Sequence, residues 1–246
     1  MGNFAKWLGA GLGFSVGGPI GSILGYVVGS FIDGFSKEDV ERAKTYRTSA
    51  RNVQSGDFEI SLLLLAAVVI KADGTIDKRE LTYVREHFKR MYGEERASHA
   101  FSLFKGFINN NKVSTRQVCT QIRQNLTHAS RLQLVHFLFG IANSDGIVTE
   151  AEVSAIKTIS GYLYINNYDF ESIKAMFYDS SDSAYKILEI DKSVTNDEVK
   201  KAYRKMVKKY HPDKLQHLGE EHIEGAEEKF RQVQKAYEKI QKERGM

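Results

Sequence analysis

TNDEVKKAYRKMVKKYHPDK, residues 195–214, is the stretch on which the reading of this chain turns. Thr195 followed three residues later by Glu198 forms a capping box, in which each side chain accepts from the other residue's backbone N–H, so a helix begins here. Val199, Ala202, Tyr203, Met206 and Tyr210 recur at helical spacing and give that helix one apolar face. The remaining surface carries Lys200, Lys201, Arg204, Lys205, Lys208 and Lys209, with no acid between Glu198 and Asp213. Solubility alone is served by mixed charge. Six cations of one sign predict a docking face. Pro212 disfavours helix at the residue before it, so the helix ends at His211-Pro212-Asp213. Beyond the turn, Phe230, Val233, Tyr237 and Ile240 mark a second amphipathic helix that can pair antiparallel with the first.

Histidine beside aspartate invites a catalytic reading, but no nucleophile motif lies nearby and no His-Glu-x-x-His spacing is present. No catalytic residue is assigned, and the chain is not expected to be an enzyme. Nucleic acid is a second conceivable ligand for a basic helix. Against it, Glu220, Glu221, Glu224, Glu227 and Glu228 sit on the partner segment, and residues 183–246 hold 15 basic against 12 acidic side chains. A protein with an acidic groove fits this surface better.

Working outward, the other end of the chain has a different chemistry. Leu8 to Ile32 is 25 residues without a charge. As a helix it would reach roughly 37 Å, enough for a hydrocarbon core of about 30 Å. Gly9, Gly13, Gly17, Gly21, Gly25 and Gly29 recur every four residues, placing a smooth strip on one face where two backbones can approach in lipid. Residues 1–34 are therefore expected to be a transmembrane anchor that pairs with a second copy, a glycine-zipper homodimer. Gly17-Gly18-Pro19 leaves open a broken helix that inserts without spanning. The short basic region, Lys6, and the long apolar run argue against a cleaved signal peptide. Lys37, Arg42, Lys44, Arg47 and Arg51 follow the apolar run, so the positive-inside rule puts the bulk of the chain in the cytoplasm.

Between these ends, residues 35–56 read as a charged linker and residues 57–178 as a helical body. Leu62 to Ile70 is apolar but nine residues long and flanked by Glu59 and Lys71, which is a buried core helix and not a span. A weak internal repeat follows: ADGTIDKREL at 72–81 returns as SDGIVTEAEV at 144–153, 72 residues later. Each copy ends one helix at Asp-Gly and opens the next with a capping box, Asp77 with Glu80 and Thr149 with Glu152. No strand-like alternation competes, so the fold class is all-α. A net charge of +4 supports no global nucleic-acid argument, and one cysteine, Cys119, excludes an internal disulfide and a cysteine zinc cluster.

The repeat resembles the TerB-like (tellurite-resistance) domain. That resemblance implies a helical bundle whose acidic turns hold a hard divalent cation, with Asp73, Asp77, Glu80, Asp145, Glu150 and Glu152 as the matching residues. Thr149 stands where the first copy has Asp77, and neither turn has the EF-hand spacing. Helix capping is the alternative role for these acids. The segment 183–246, with Tyr185 and Leu188 before the basic helix and Gln234-Lys235-Ala236-Tyr237 after the turn, resembles the J domain. One departure is Glu189, where the family usually has glycine. The resemblance implies a DnaK-type chaperone as partner, with Lys200, Arg204 and Lys205 docking and His211, Pro212 and Asp213 triggering ATP hydrolysis. The order of parts is similar to the DjlA family of membrane-anchored co-chaperones, which implies a bacterial inner-membrane location and no required cofactor. A metal- or stress-responsive TerB-like scaffold is the alternative function.

Overall fold

The computed structural model describes residues 53–95, 97–98, 101, 104, 108, 114–178, 180–211 and 220–246. The glycine-rich segment with Gly9, Gly13, Gly17, Gly21, Gly25 and Gly29 lies outside these residues, and so do Pro212 and Asp213. Every described element is a helix, as the absence of alternating patterns implied. Among the described residues no helix is long and apolar enough to cross a membrane.

The first helix, α1, runs Val53–Ile70, starting inside the stretch read as linker and carrying the apolar run Leu62–Ile70 as its C-terminal half. Leu62 to Ala67, Val69 and Ile70 are all buried, which is why an uncharged face is tolerated around most of its circumference. It packs against α4, His128–Ala142, whose residues from Leu132 to Ala142 are buried without interruption. Around this pair stand α2, Lys78–Tyr92; α3, Thr115–Asn125; α5, Glu150–Tyr162; and α6, Asn167–Ala175. Cys119 on α3 is a core residue, and burial pushes its thiol up to about 12. It serves packing and is no nucleophile at neutral pH.

The repeat read from the sequence is a repeat of structure. In each copy the helix before it closes with a turn, and Gly74 and Gly146 take φ of 83° and 88°, a left-handed conformation that glycine adopts without a Cβ penalty. Asp73 Oδ1 accepts from Thr75 N at 2.9 Å, and Asp145 Oδ1 accepts from Ile147 N at the same distance. Both capping boxes form, opening α2 and α5.

The C-terminal part has α7, Ser183–Ile187; α8, Asn196–Tyr210; and α9, Glu220–Arg244. The Thr195–Glu198 capping box opens α8 as read. Val199, Ala202, Met206 and Tyr210 of α8 and Val233, Ala236 and Ile240 of α9 are buried, and Tyr203 stacks on Tyr237 with ring centroids 4.1 Å apart. These apolar residues join those of the body in one continuous cluster, because α9 packs on α4 and α2 while α7 packs on α6. The hairpin therefore has a defined seat on the helical body.

Candidate chaperone-docking surface

Helix α8 aims its cations by the geometry that buries its apolar side. Lys200, Lys201, Arg204, Lys205 and Lys208 are exposed, on the surface left over once Val199, Met206 and Tyr210 face α9 and the core. Lys200 Nζ lies 3.9 Å from Asp197, one turn back on a solvent-facing pair that adds little to stability. At the far end His211 is the C-cap, with φ −63° and ψ 129°, so the chain leaves the helix there as the proline rule requires. Its half-buried ring meets Phe230 edge-on at 5.9 Å, which ties the start of the turn to α9. His211, Arg204, Lys205 and Lys200 thus lie on one element in the order the sequence suggested.

Three features escaped the sequence reading. Glu189 sits in the turn after α7 at φ 59°, a conformation that favours glycine, and its carboxylate reaches across to α8. It accepts from Lys205 Nζ at 3.1 Å and also from Lys209 Nζ. The basic face, free of acids along its own sequence, is not free of them in space. Arg244, near the end of α9, donates to Tyr185 Oη at 3.0 Å and to the carbonyls of Val194 and Lys192 at 2.6 Å each, so it clamps the loop before α8 to both neighbouring helices. Lys229 of α9 is only 1% exposed, and burial pushes its amine well below the ordinary lysine range. A polar residue on an amphipathic helix ordinarily marks the wet side; here its amine lies 5.3 Å from the Tyr210 ring of α8.

The six acids of the repeat are placed differently from a metal cage. Asp77 accepts from Arg79 N at 2.7 Å and from the Arg79 guanidinium, whose hydrogen bond holds the carboxyl down to about 2. The same guanidinium reaches Asp145 at 3.3 Å, linking the two turns of the repeat. Asp73 and Asp145 close their own turns, Glu80 caps Asp77 N at 3.2 Å, and Glu152 caps Thr149 N at 2.7 Å, while Glu150 is exposed at the start of α5. Among the described residues no three metal-ligating side chains converge. In this arrangement Asp77, Glu80 and Glu152 cap helices while Asp73 and Asp145 close turns, and a cation would have to displace Arg79 from between Asp77 and Asp145.

Comparison with known proteins matches three parts of the chain to family models. The tellurite resistance protein TerB model matches residues 59–175, the DnaJ domain model residues 183–244, and the co-chaperone DjlA transmembrane domain model residues 1–51. The co-chaperone protein DjlA of Coxiella burnetii is 26% identical over 98% of both chains. That of Photobacterium profundum is 28% identical over 98% of this chain and 99% of its own. The chain is thus similar over nearly its whole length to DjlA co-chaperones, and it carries a J domain at its C-terminal end. Its likeness to full-length DnaJ is confined to the end: the Lactococcus lactis chaperone protein DnaJ is 56% identical, but over 24% of this chain and 14% of its own length. No solved structure matches. The J hairpin, the TerB-like body and the glycine-rich N-terminus are thus three recognisable parts, and the exposed cations of α8 belong to the first of them.

Proposed function

We propose that this chain recruits a DnaK-type chaperone to the cytoplasmic face of a membrane and stimulates its ATP hydrolysis, with no chemistry of its own. The observation that carries the reading is helix α8. It presents exposed Lys200, Arg204 and Lys205 on one helix whose C-cap is His211, so the docking cations and the first residue of the turn share one element. An acidic chaperone surface would be steered to the cations and brought against the His211-Pro212-Asp213 turn. The co-chaperone names of the full-length relatives support this, as does the J-domain match. The transmembrane-domain match over residues 1–51 supports anchoring, with lipid as the second partner and the six-glycine face as the seat of a homodimer.

The test is a single-turnover ATPase assay of a DnaK-type chaperone with the parent and with His211→Gln. The core of Val199, Met206, Val233 and Ile240 does not involve His211, so helicity should be unchanged while stimulation is lost. Stimulation by the variant equal to the parent's would remove the mechanism and leave a TerB-like scaffold in its place.

A further inference from the structure

At its C-terminal end α8 is already engaged. Lys209 Nζ donates to two carboxylates, Asp169 on α6 of the TerB-like body and Glu189 in the turn of the J hairpin, and the second of these also holds Lys205. Asp169 is itself positioned: Asn166 Nδ2 donates to it at 2.9 Å, and His128 Nε2 lies 3.1 Å from the same oxygen. The Asp169 and Glu189 side chains are 3% and 7% exposed, so the pairs are poorly screened by salt. Burial alone would raise the Asp169 pKa, but hydrogen bonds from His128 and Lys209 outweigh it and hold the carboxyl well below the usual range. Beside this network Lys229, Tyr210 and Ser172 are buried. Lys229 Nζ lies 5.3 Å from the Tyr210 ring, and Ser172 of α6 donates to the Ile187 carbonyl at 2.8 Å.

Two carboxylates on Lys205 and Lys209 are the kind of group that an acidic chaperone surface would bring to the same helix. We propose that Asp169 and Glu189 form an intramolecular latch, in which Asp169 of the TerB-like body holds Lys209 and Glu189 of the J hairpin holds Lys209 and tethers Lys205, so that full docking of the chaperone requires exchange of these pairs. The proposal rests on the reading of α8 as the docking face. The latch subtracts from docking without abolishing it, because Lys200 and Arg204 stay exposed and the Lys205 side chain is 70% exposed. It also gives the TerB-like body a means of setting J-domain activity: anything that draws α6 away from α8 frees Lys209 from Asp169.

Full-length protein in detergent is titrated into a single-turnover ATPase assay with a DnaK-type chaperone, comparing the parent, Asp169→Asn and Glu189→Gly. Glycine is at ease at the positive φ of position 189, so that variant should fold even if the first does not. Each variant should reach half-maximal stimulation at about three- to tenfold lower concentration than the parent, with the same maximum. Curves that superimpose on the parent's, or move to higher concentration, overturn the latch. His211→Gln in the parent and in the Asp169→Asn background separates the two readings. If it abolishes stimulation while Asp169→Asn shifts nothing, the latch alone falls; if it stimulates normally, the docking reading falls with it.

Discussion

Replacing Glu80 by Gln should stabilise the protein above neutral pH and leave its stability unchanged in acid. Glu80 is the capping-box residue of α2, 7% exposed, and its carboxyl meets that of Glu152, the equivalent residue of the second repeat. Burial first, and then the negative field of Glu152 and Asp73, raise its pKa from 4.5 to about 7, against the opposing hydrogen bond from Asp77 N. At about 1.4 kcal/mol per unit a shift of that size amounts to on the order of 3 kcal/mol. The sign follows from proton binding. The folded state holds this proton more tightly than the unfolded chain, so the contribution is complete below about pH 4.5 and is lost as pH rises through about 7. Glutamine keeps an oxygen for Asp77 N, a donor for Glu152, and no charge at any pH. Urea unfolding followed by circular dichroism at pH 4.5, 6 and 8 should then give equal stabilities in acid and a variant more stable by a few kcal/mol, about 3 at most, at pH 8. His87, pushed down to about 4 by burial, has the opposite slope between pH 4 and 6.5, and it cancels in the difference between variant and parent. A difference that is flat across pH, or a variant less stable at pH 8, would show that Glu80 is ionised in its cap and would refute the raised pKa.

Arg204→Glu should raise the concentration for half-maximal ATPase stimulation by about tenfold and flatten its dependence on salt, because it reverses an exposed docking charge and touches no core residue; an unchanged titration at low salt would place docking elsewhere. Arg244→Ala removes the donors to Tyr185 Oη and to the Val194 and Lys192 carbonyls, and should cost about 2 kcal/mol, read as a lower thermal midpoint of the hairpin's helicity. A midpoint within error of the parent's would mean that water replaces those bonds without loss. Calcium or magnesium at millimolar concentration should leave the melting temperature unchanged, since the repeat's oxygens are engaged in caps and with Arg79; a rise of several degrees would restore the hard-cation reading of Asp73, Asp77, Glu80, Asp145, Glu150 and Glu152.

The parts that were legible in the sequence are those whose physics is local. Capping boxes at Asp77, Thr149 and Thr195 join residues three apart, and each one forms where it was read. The Asp-Gly turns are equally local, and the apolar spacing of Val199, Met206 and Tyr210 fixes which side of α8 is buried. What could not be read is what spans the chain. Lys209 meets Glu189 across 20 residues and Asp169 across 40, and no spacing rule connects such positions. Lys229 carries no sequence signal of burial, yet it is among the most buried side chains, against the Tyr210 ring. Glu189, from the sequence a departure confined to a turn, became a partner for two cations because α7 carries that turn beside α8. The sequence by itself thus determined the helices, their caps and the cationic face that ends at His211, through interactions within a few residues of each other. Only the tertiary structure decided which of those cations stay free, since long-range charge pairing depends on which helices the continuous apolar core brings side by side.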